Sequence, residues 1–354
     1  MNIICDSKRL FQGLTVIDRV ISPNYSGTVY ATIEAKDGKA ILRTTNQAQM
    51  ALCDLKAQVL KDGICHLPAW RMVKFTQIQN NELYIKSLPP KQVEITDQFA
   101  DFDIKLTTPN LTPVPIPPTG EATIKMPADI RTSITYAMQC AATDESRPIL
   151  TGVLFQQKDN VLHMVSADGF RLMEVARPLE APDFNIIIPH NALSLVCKLE
   201  GDLTFGYNRE RAWFDTDGIR LISELLQGTF PMYQQLIPSA KPAWKVTVPA
   251  WLLNQRLNQL SSETPSGIAR IEPKGNTLRL STYSEDEDEE ECSILIPAKM
   301  EGEGRIAFNR KYMIETSKIF SEMTLEVTIP SAPIKIYGDL DGVTMVMMPM
   351  FVQW

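Results

Sequence analysis

A chain of 354 residues with 44% hydrophobic residues, 22% charged residues and a net charge of −7 is long enough for two or three domains with ordinary cores. It has no run of 18 apolar residues, which argues against a transmembrane helix, and it opens on Met1-Asn2-Ile3-Ile4-Cys5-Asp6, without the basic and then apolar pattern of a secretory signal. Cys5, Cys53, Cys65, Cys140, Cys197 and Cys292 show no C-x-x-C spacing, and His66, His163 and His190 lie far apart. No metal site and no cofactor is therefore expected, and the thiols should be reduced and mostly buried in a cytoplasmic protein.

Taken in order, the chain repeats itself. Helix starts follow short apolar strands at Asp6, Pro68, Pro127, Pro189, Pro249 and Asn309, at intervals of 62, 59, 62, 60 and 60 residues. Proline is tolerated at a first helical position, where its missing N–H would have no partner, and Asp or Asn caps free N–H groups. The spacing predicts helices over 6–20, 68–80, 127–141, 189–200, 249–260 and 309–320. Leu10, Leu14 and Ile17 share a helical face, as do Ile130, Ile134 and Met138, then Leu193, Val196 and Leu199, then Leu253, Leu257 and Leu260. Hairpin turns are expected at Lys36-Asp37-Gly38, Lys158-Asp159-Asn160 and Lys274-Gly275-Asn276, about every 120 residues. Asp168-Gly169 reads as another turn. Two sixty-residue repeats thus make one unit, and three units make the chain. Pro-rich connectors at 109–118 and 231–242 divide it into domains 1–121, 122–243 and 244–354. The acidic run Glu285–Glu291 has no calcium-loop spacing and reads as a solvated loop between strands.

No phosphate loop, dinucleotide fingerprint, nucleophile elbow or H-E-x-x-H motif occurs. Catalytic residues converging from distant positions stay possible, and an enzyme is not expected. Charge is distributed unevenly. The six predicted helices sum to +6, which leaves −13 for the rest of the chain. Lys8, Arg9, Arg19, Arg71, Lys74, Arg131, Lys198, Arg256, Arg310, Lys311 and Lys318 are the candidate phosphate-facing cations. A modest basic surface without interleaved aromatics suits phosphate contact without base reading. Ordinary solvated helix faces account for the same charges, and both readings stand at this stage. The apolar end, Met345 to Trp354, reads either as a last core strand or as the wall of a groove for a partner.

Four stretches carry a family likeness. Arg147-Pro148-Ile149-Leu150-Thr151-Gly152-Val153-Leu154-Phe155 precedes Ser166-Ala167-Asp168-Gly169-Phe170-Arg171-Leu172. Then come Gly228-Thr229-Phe230-Pro231-Met232-Tyr233-Gln234-Gln235-Leu236-Ile237-Pro238 and the terminal Val346-Met347-Met348-Pro349-Met350. Together with the length and the six-fold repeat, these resemble the bacterial beta sliding clamp, the processivity subunit of the replicative DNA polymerase. The chain departs from that pattern at Phe170, where His is usual, and at Gln234 and Gln235, where two Arg are usual. It also departs at Phe351–Trp354, which replaces a shorter Arg-Leu ending.

The resemblance implies an α+β DNA clamp fold of three similar domains, each of two helix-plus-strands repeats. Helices would line the inner face and antiparallel sheets would lie outside, in a head-to-tail homodimeric ring around double-stranded DNA. It implies a dimer interface joining Phe102, Ile104 and Leu106 to Leu260. It also implies a partner-peptide groove of Leu150, Ala167, Gly169, Phe170, Arg171, Leu172, Pro231, Gln235, Leu236, Val346, Met348, Pro349 and Met350. That groove would take short Gln/Leu/Phe motifs of the replicative polymerase, the clamp loader, other polymerases and repair proteins, with no membrane partner. The alternative is an interaction scaffold that keeps the fold without binding DNA.

Overall fold

A computed structural model describes residues 1–20, 30–46, 48–77, 81–89, 91–97, 103–108, 111, 115–144, 146–260, 267–282 and 292–353. Among these are six α-helices: α1 (Ser7–Val20), α2 (Ala69–Thr76), α3 (Ile130–Ala137), α4 (His190–Val196), α5 (Ala250–Gln259) and α6 (Arg310–Thr316). All six fall where the sixty-residue interval predicts them, but most are shorter. Pro68, Pro189 and Pro249 stand one residue before the first helical turn, as extended caps that also end the preceding strand. Proline's fixed φ suits both roles, closing a strand and admitting a helix. Met138 begins a 3-10 turn instead of continuing α3.

The apolar stripes are buried as their periodicity requires. Leu10, Leu14 and Ile17 on α1 are solvent-free, as are Leu257 and Leu260 at the end of α5. The three expected hairpins are present, with Lys36 paired to Lys39, Lys158 to Val161 and Lys274 to Thr277. Asp37, Gly38, Asp159, Asn160 and Gly275 adopt the positive φ that such turns demand.

Two compact units form, and neither is continuous in sequence. The first comprises Met1–Thr132 with Ile188–Gln227; the second comprises Ser133–Ile187 with Gly228–Trp354. Strand pairing explains this interleaving. In the first unit, an eight-stranded sheet joins Gln49–Asp54 to Ile219–Glu224, with Leu221 opposite Ala51. A five-stranded sheet in the same unit has the strand Asp103–Thr107 at one edge. In the second unit, a nine-stranded sheet joins Arg171–Pro178 to Val343–Met347. A four-stranded sheet there has Ser293–Pro297 at one edge and Ile306–Asn309 at the other. Backbone hydrogen bonding thus continues across each proline-rich stretch, so the sheets are larger than any sixty-residue repeat.

The core of the second unit is built tightly around Trp244, which is fully buried. A Cβ at Gly304 would lie 2.8 Å from the Trp244 Cβ, so glycine is needed for that approach. Replacing Trp244 with Ala is expected to cost about 3–5 kcal/mol, since the cavity cannot fully collapse. The measurement is the shift of the urea midpoint, and a change below about 1 kcal/mol would contradict this packing.

The connector at 231–242 is less extended than expected, because Tyr233–Leu236 forms a 3-10 turn. Phe102, Pro109, Pro113, the acidic run 285–291 and Trp354 lie outside the described residues, as does the side chain of Arg19. No helix among the described residues is long and apolar enough to cross a membrane.

Candidate functional site

The expected groove residues all belong to the second unit: Ala167, Arg171, Leu172 and Val346 lie on three neighbouring strands of the nine-stranded sheet, Val161–Ala167, Arg171–Pro178 and Val343–Met347, and the others lie in turns, the linker and the tail. The turn at 168–170 is its most constrained part. Asp168 Oδ1 accepts from the backbone N–H of Phe170 and of Arg171, each at 2.9 Å. Asp168 Oδ2 accepts from Arg171 Nε at 2.9 Å. The Arg171 guanidinium also donates to Glu315 Oε2 on α6 at 2.5 Å and lies 4.1 Å from the Tyr312 ring centroid. Charge-assisted bonds of this kind hold planar geometry well. Gly169 has φ +93°, and a Cβ there would collide with the Arg147 guanidinium. The result is a rigid turn that presents Phe170 outward, 61% exposed.

The tail is tied to this turn. Leu172 pairs with Val346 and Arg171 with Met347, after which the Met348 N–H donates to the Phe170 carbonyl at 2.8 Å. The chain then leaves the sheet, and the Met350 N–H donates to the Ala307 carbonyl at 2.8 Å. The core-strand reading holds for the first part of the tail, and the rest lies at the surface. Val343–Met347 is core strand, whereas Met348, Met350 and Phe351 are exposed, Phe351 to 82%.

The linker reaches the same sheet from its other side. Tyr233 is buried, and its hydroxyl donates to Gln156 Oε1 at 3.3 Å, where Gln234 Nε2 also donates. Burial first, and then the neighbouring Glu174 carboxylate, push the Tyr233 phenol up from its ordinary value, so it stays a neutral donor. This anchoring leaves Pro231, Gln235 and Leu236 at the surface, together with Met232, 69% exposed. Leu150, Ala167, Leu172, Val346 and Pro349 are buried beneath. Sequence reasoning missed Met232, and it missed Glu315 and Tyr312 as the groups that hold Arg171. Met232 lay within the quoted linker stretch, but nothing in its residue type marked it as outward.

The cationic residues divide by burial. Lys8, Arg71, Lys74, Lys198, Lys311 and Lys318 are exposed. Arg131, Arg256 and Arg310 are half-buried and donate to the Gly201 carbonyl, Gln259 Oε1 and the Leu260 carbonyl. Arg9 is a correction. It is only 8% exposed. Its guanidinium donates to the Asp54 carbonyl at 2.9 Å and to the Asp217 carbonyl, and it pairs with the Asp217 carboxylate. It ties α1 to the turn at Asp217 and does not offer itself to phosphate. A hydrogen bond from Lys56, reinforced by that ammonium's charge and by Arg9, holds the Asp217 carboxyl below its usual range. Leu260 is a second correction. It is fully buried in its own unit, so it cannot be an interface side chain. Leu295, on the edge strand Ser293–Pro297, is exposed instead. A third concerns aromatics. Trp70 on α2 and Trp251 on α5 are exposed, so the helices do interleave aromatic with basic residues.

Comparison with known proteins follows the same lines. Residues 126–232 match the family model described as DNA polymerase III beta subunit, central domain. A beta sliding clamp from Synechocystis is 24% identical over 391 residues, covering 100% of this chain and 99% of the relative. Another from Treponema pallidum is 22% identical, covering 94% of each. The chain is similar to beta sliding clamps along its whole length. Its fold is that of the solved sliding clamp from Bacillus subtilis, with a TM-score of 0.89 at 19% identity over 100% of both chains. Among the described residues, no group of three or more His, Cys, Asp or Glu side chains is placed to hold a metal ion.

Proposed function

We propose that the chain is a DNA sliding clamp that closes as a head-to-tail dimer around duplex DNA and tethers polymerases through the groove at Phe170. The observation that carries this is the likeness to beta sliding clamps along the whole chain. It is a non-catalytic processivity subunit, acting in the cytoplasm on the nucleoid. Its exposed helix cations, Lys8, Arg71, Lys74, Lys198, Lys311 and Lys318, make weak, sequence-blind phosphate contacts that a sliding ring requires. The acidic remainder of the surface discourages DNA from binding elsewhere. Retention on nicked circular plasmid, with release when the circle is cut, is the test of encirclement.

Closure uses two sheet edges. Among the described residues, Asp103–Thr107, with Ile104 and Leu106 partly exposed, is the last strand on one sheet edge, and Ser293–Pro297 is the last on another. Such edges invite strand addition. Head-to-tail pairing of one with the partner's other satisfies both, and it puts Leu295 against Ile104 and Leu106. Leu295→Asp is expected to weaken the dimer at least about 10-fold, because a carboxylate would be buried among apolar groups. Sedimentation equilibrium reads the dissociation constant, and an unchanged value would remove this edge from the interface.

The groove takes a short extended peptide with apolar anchors and a Gln. Phe170, Met232, Leu236, Met348 and Met350 supply the apolar contacts, and the flexible thioethers adapt to anchors of several shapes. Gln234 and Gln235 make the linker wall neutral, so the preferred peptides depend less on acidic flanks than they would with arginines there. Polymerase, loader and repair proteins carrying such motifs are the proposed partners.

A further inference from the structure

Trp70 sits in the first turn of α2, and Ala69, Met72 and Thr76 bury the opposite face of that helix. Trp70 is nevertheless 45% exposed, unusual for a side chain that is highly buried on average. Two cations gather at it: the Arg71 guanidinium carbon lies 5.2 Å from the ring centroid and the Lys74 ammonium 5.9 Å away. α2 contains no acidic residue. Pro-Ala-Trp recurs at 249–251, where Trp251 is also exposed, but there Leu252 follows and no Lys or Arg stands at the next three positions.

An exposed π face beside two positive charges, on a helix with no negative one, matches one ligand chemistry: a flat aromatic base joined to a phosphate. We propose that Trp70, with Arg71 and Lys74, is a stacking platform for an unpaired base of single-stranded DNA. In a paired duplex the bases are stacked on each other, so their faces are not open to an indole. The cations hold the phosphates flanking the stacked base, and the cation–π contacts keep the ring oriented while the site is empty. The site would engage a strand where the duplex ends or gaps. This goes beyond duplex encirclement and does not depend on it.

The test is fluorescence anisotropy of labelled oligothymidylate, and of a duplex of equal length, with the full-length protein at low salt. Trp70→Leu keeps the apolar bulk and removes the π face. It is expected to weaken oligothymidylate binding about 5- to 100-fold, with the duplex affinity changed less than about two-fold. Trp70→Phe is expected to restore most of the loss, and Trp251→Leu to have no effect. Full binding by Trp70→Leu would show a merely apolar surface and overturn the proposal. So would an equal loss on both ligands, or an equal loss in Trp251→Leu. Because Trp70→Phe and Trp70→Leu both keep a large apolar side chain, a difference between them is not a folding effect. Retention on circular DNA is measured separately, so failure here leaves the clamp reading in place.

Discussion

Deleting residues 348–354 is expected to abolish binding of a short Gln/Leu/Phe peptide while the fold and the dimer persist. The deletion must begin after Met347. Val346 and Met347 are buried and pair with Leu172 and Arg171 on one side and with Lys335 and Ile334 on the other. Cutting at 346 would therefore shorten the last strand between its two neighbours. From Met348 onward the segment is bound by few backbone bonds, among them those to the Phe170 and Ala307 carbonyls. It contributes Met348, Met350 and Phe351 to the exposed apolar surface. A few such anchors dominate peptide binding, at about 2 kcal/mol or more each when truncated. Loss of two should weaken affinity more than about 100-fold. Calorimetry reads the affinity, and sedimentation confirms the dimer. Unchanged affinity would exclude the tail as a groove wall.

Loaded protein is expected to stay on nicked circular plasmid through salt concentrations that abolish its affinity for short linear duplex. It should leave almost completely once the plasmid is linearised. The two behaviours have different physics. Phosphate contacts release counterions and weaken steeply with salt, whereas a closed ring is held by topology. The exposed cations are mostly lysines: Lys8, Lys74, Lys198, Lys311 and Lys318, with Arg71. Lysine acts as a hydrated point charge and not as a bidentate fork, which favours sliding over fixed contact. Gel filtration of loaded plasmid before and after restriction cutting measures retention. Equal retention on circular and linear forms would refute encirclement and leave the interaction-scaffold reading.

Much of this was visible in particular residues. The six helix starts, the hairpins at Asp37-Gly38, Asp159-Asn160 and Gly275-Asn276, and the turn at Asp168-Gly169 are local features. Proline, glycine and Asx residues limit their own backbone, so neighbours a few positions away suffice to read them. The stripes of α1 and α5 were equally legible, because helical periodicity is local too. Arg9 and Leu260 were misjudged for the opposite reason. Residue type and helix position placed Arg9 at a surface, and the family resemblance placed Leu260 at an interface, while Asp54 and Asp217 engage Arg9 and the second unit's core encloses Leu260. Trp70 and Trp251 went unread because the charge census counted only ionisable residues.

By itself, the sequence determined the repeat, the element types, the turn chemistry and the four stretches that carry the family likeness. Only the tertiary structure decided that sheets run on past the proline-rich connectors. It alone showed that Glu315 and Tyr312 lock Arg171, that Tyr233 anchors the linker on Gln156, and that the tail changes from core to surface between Met347 and Met348. The physical reason is range. Backbone preference acts over a few residues, whereas strand pairing and burial join residues such as Arg171 and Met347, far apart in the chain, and no periodicity carries that information.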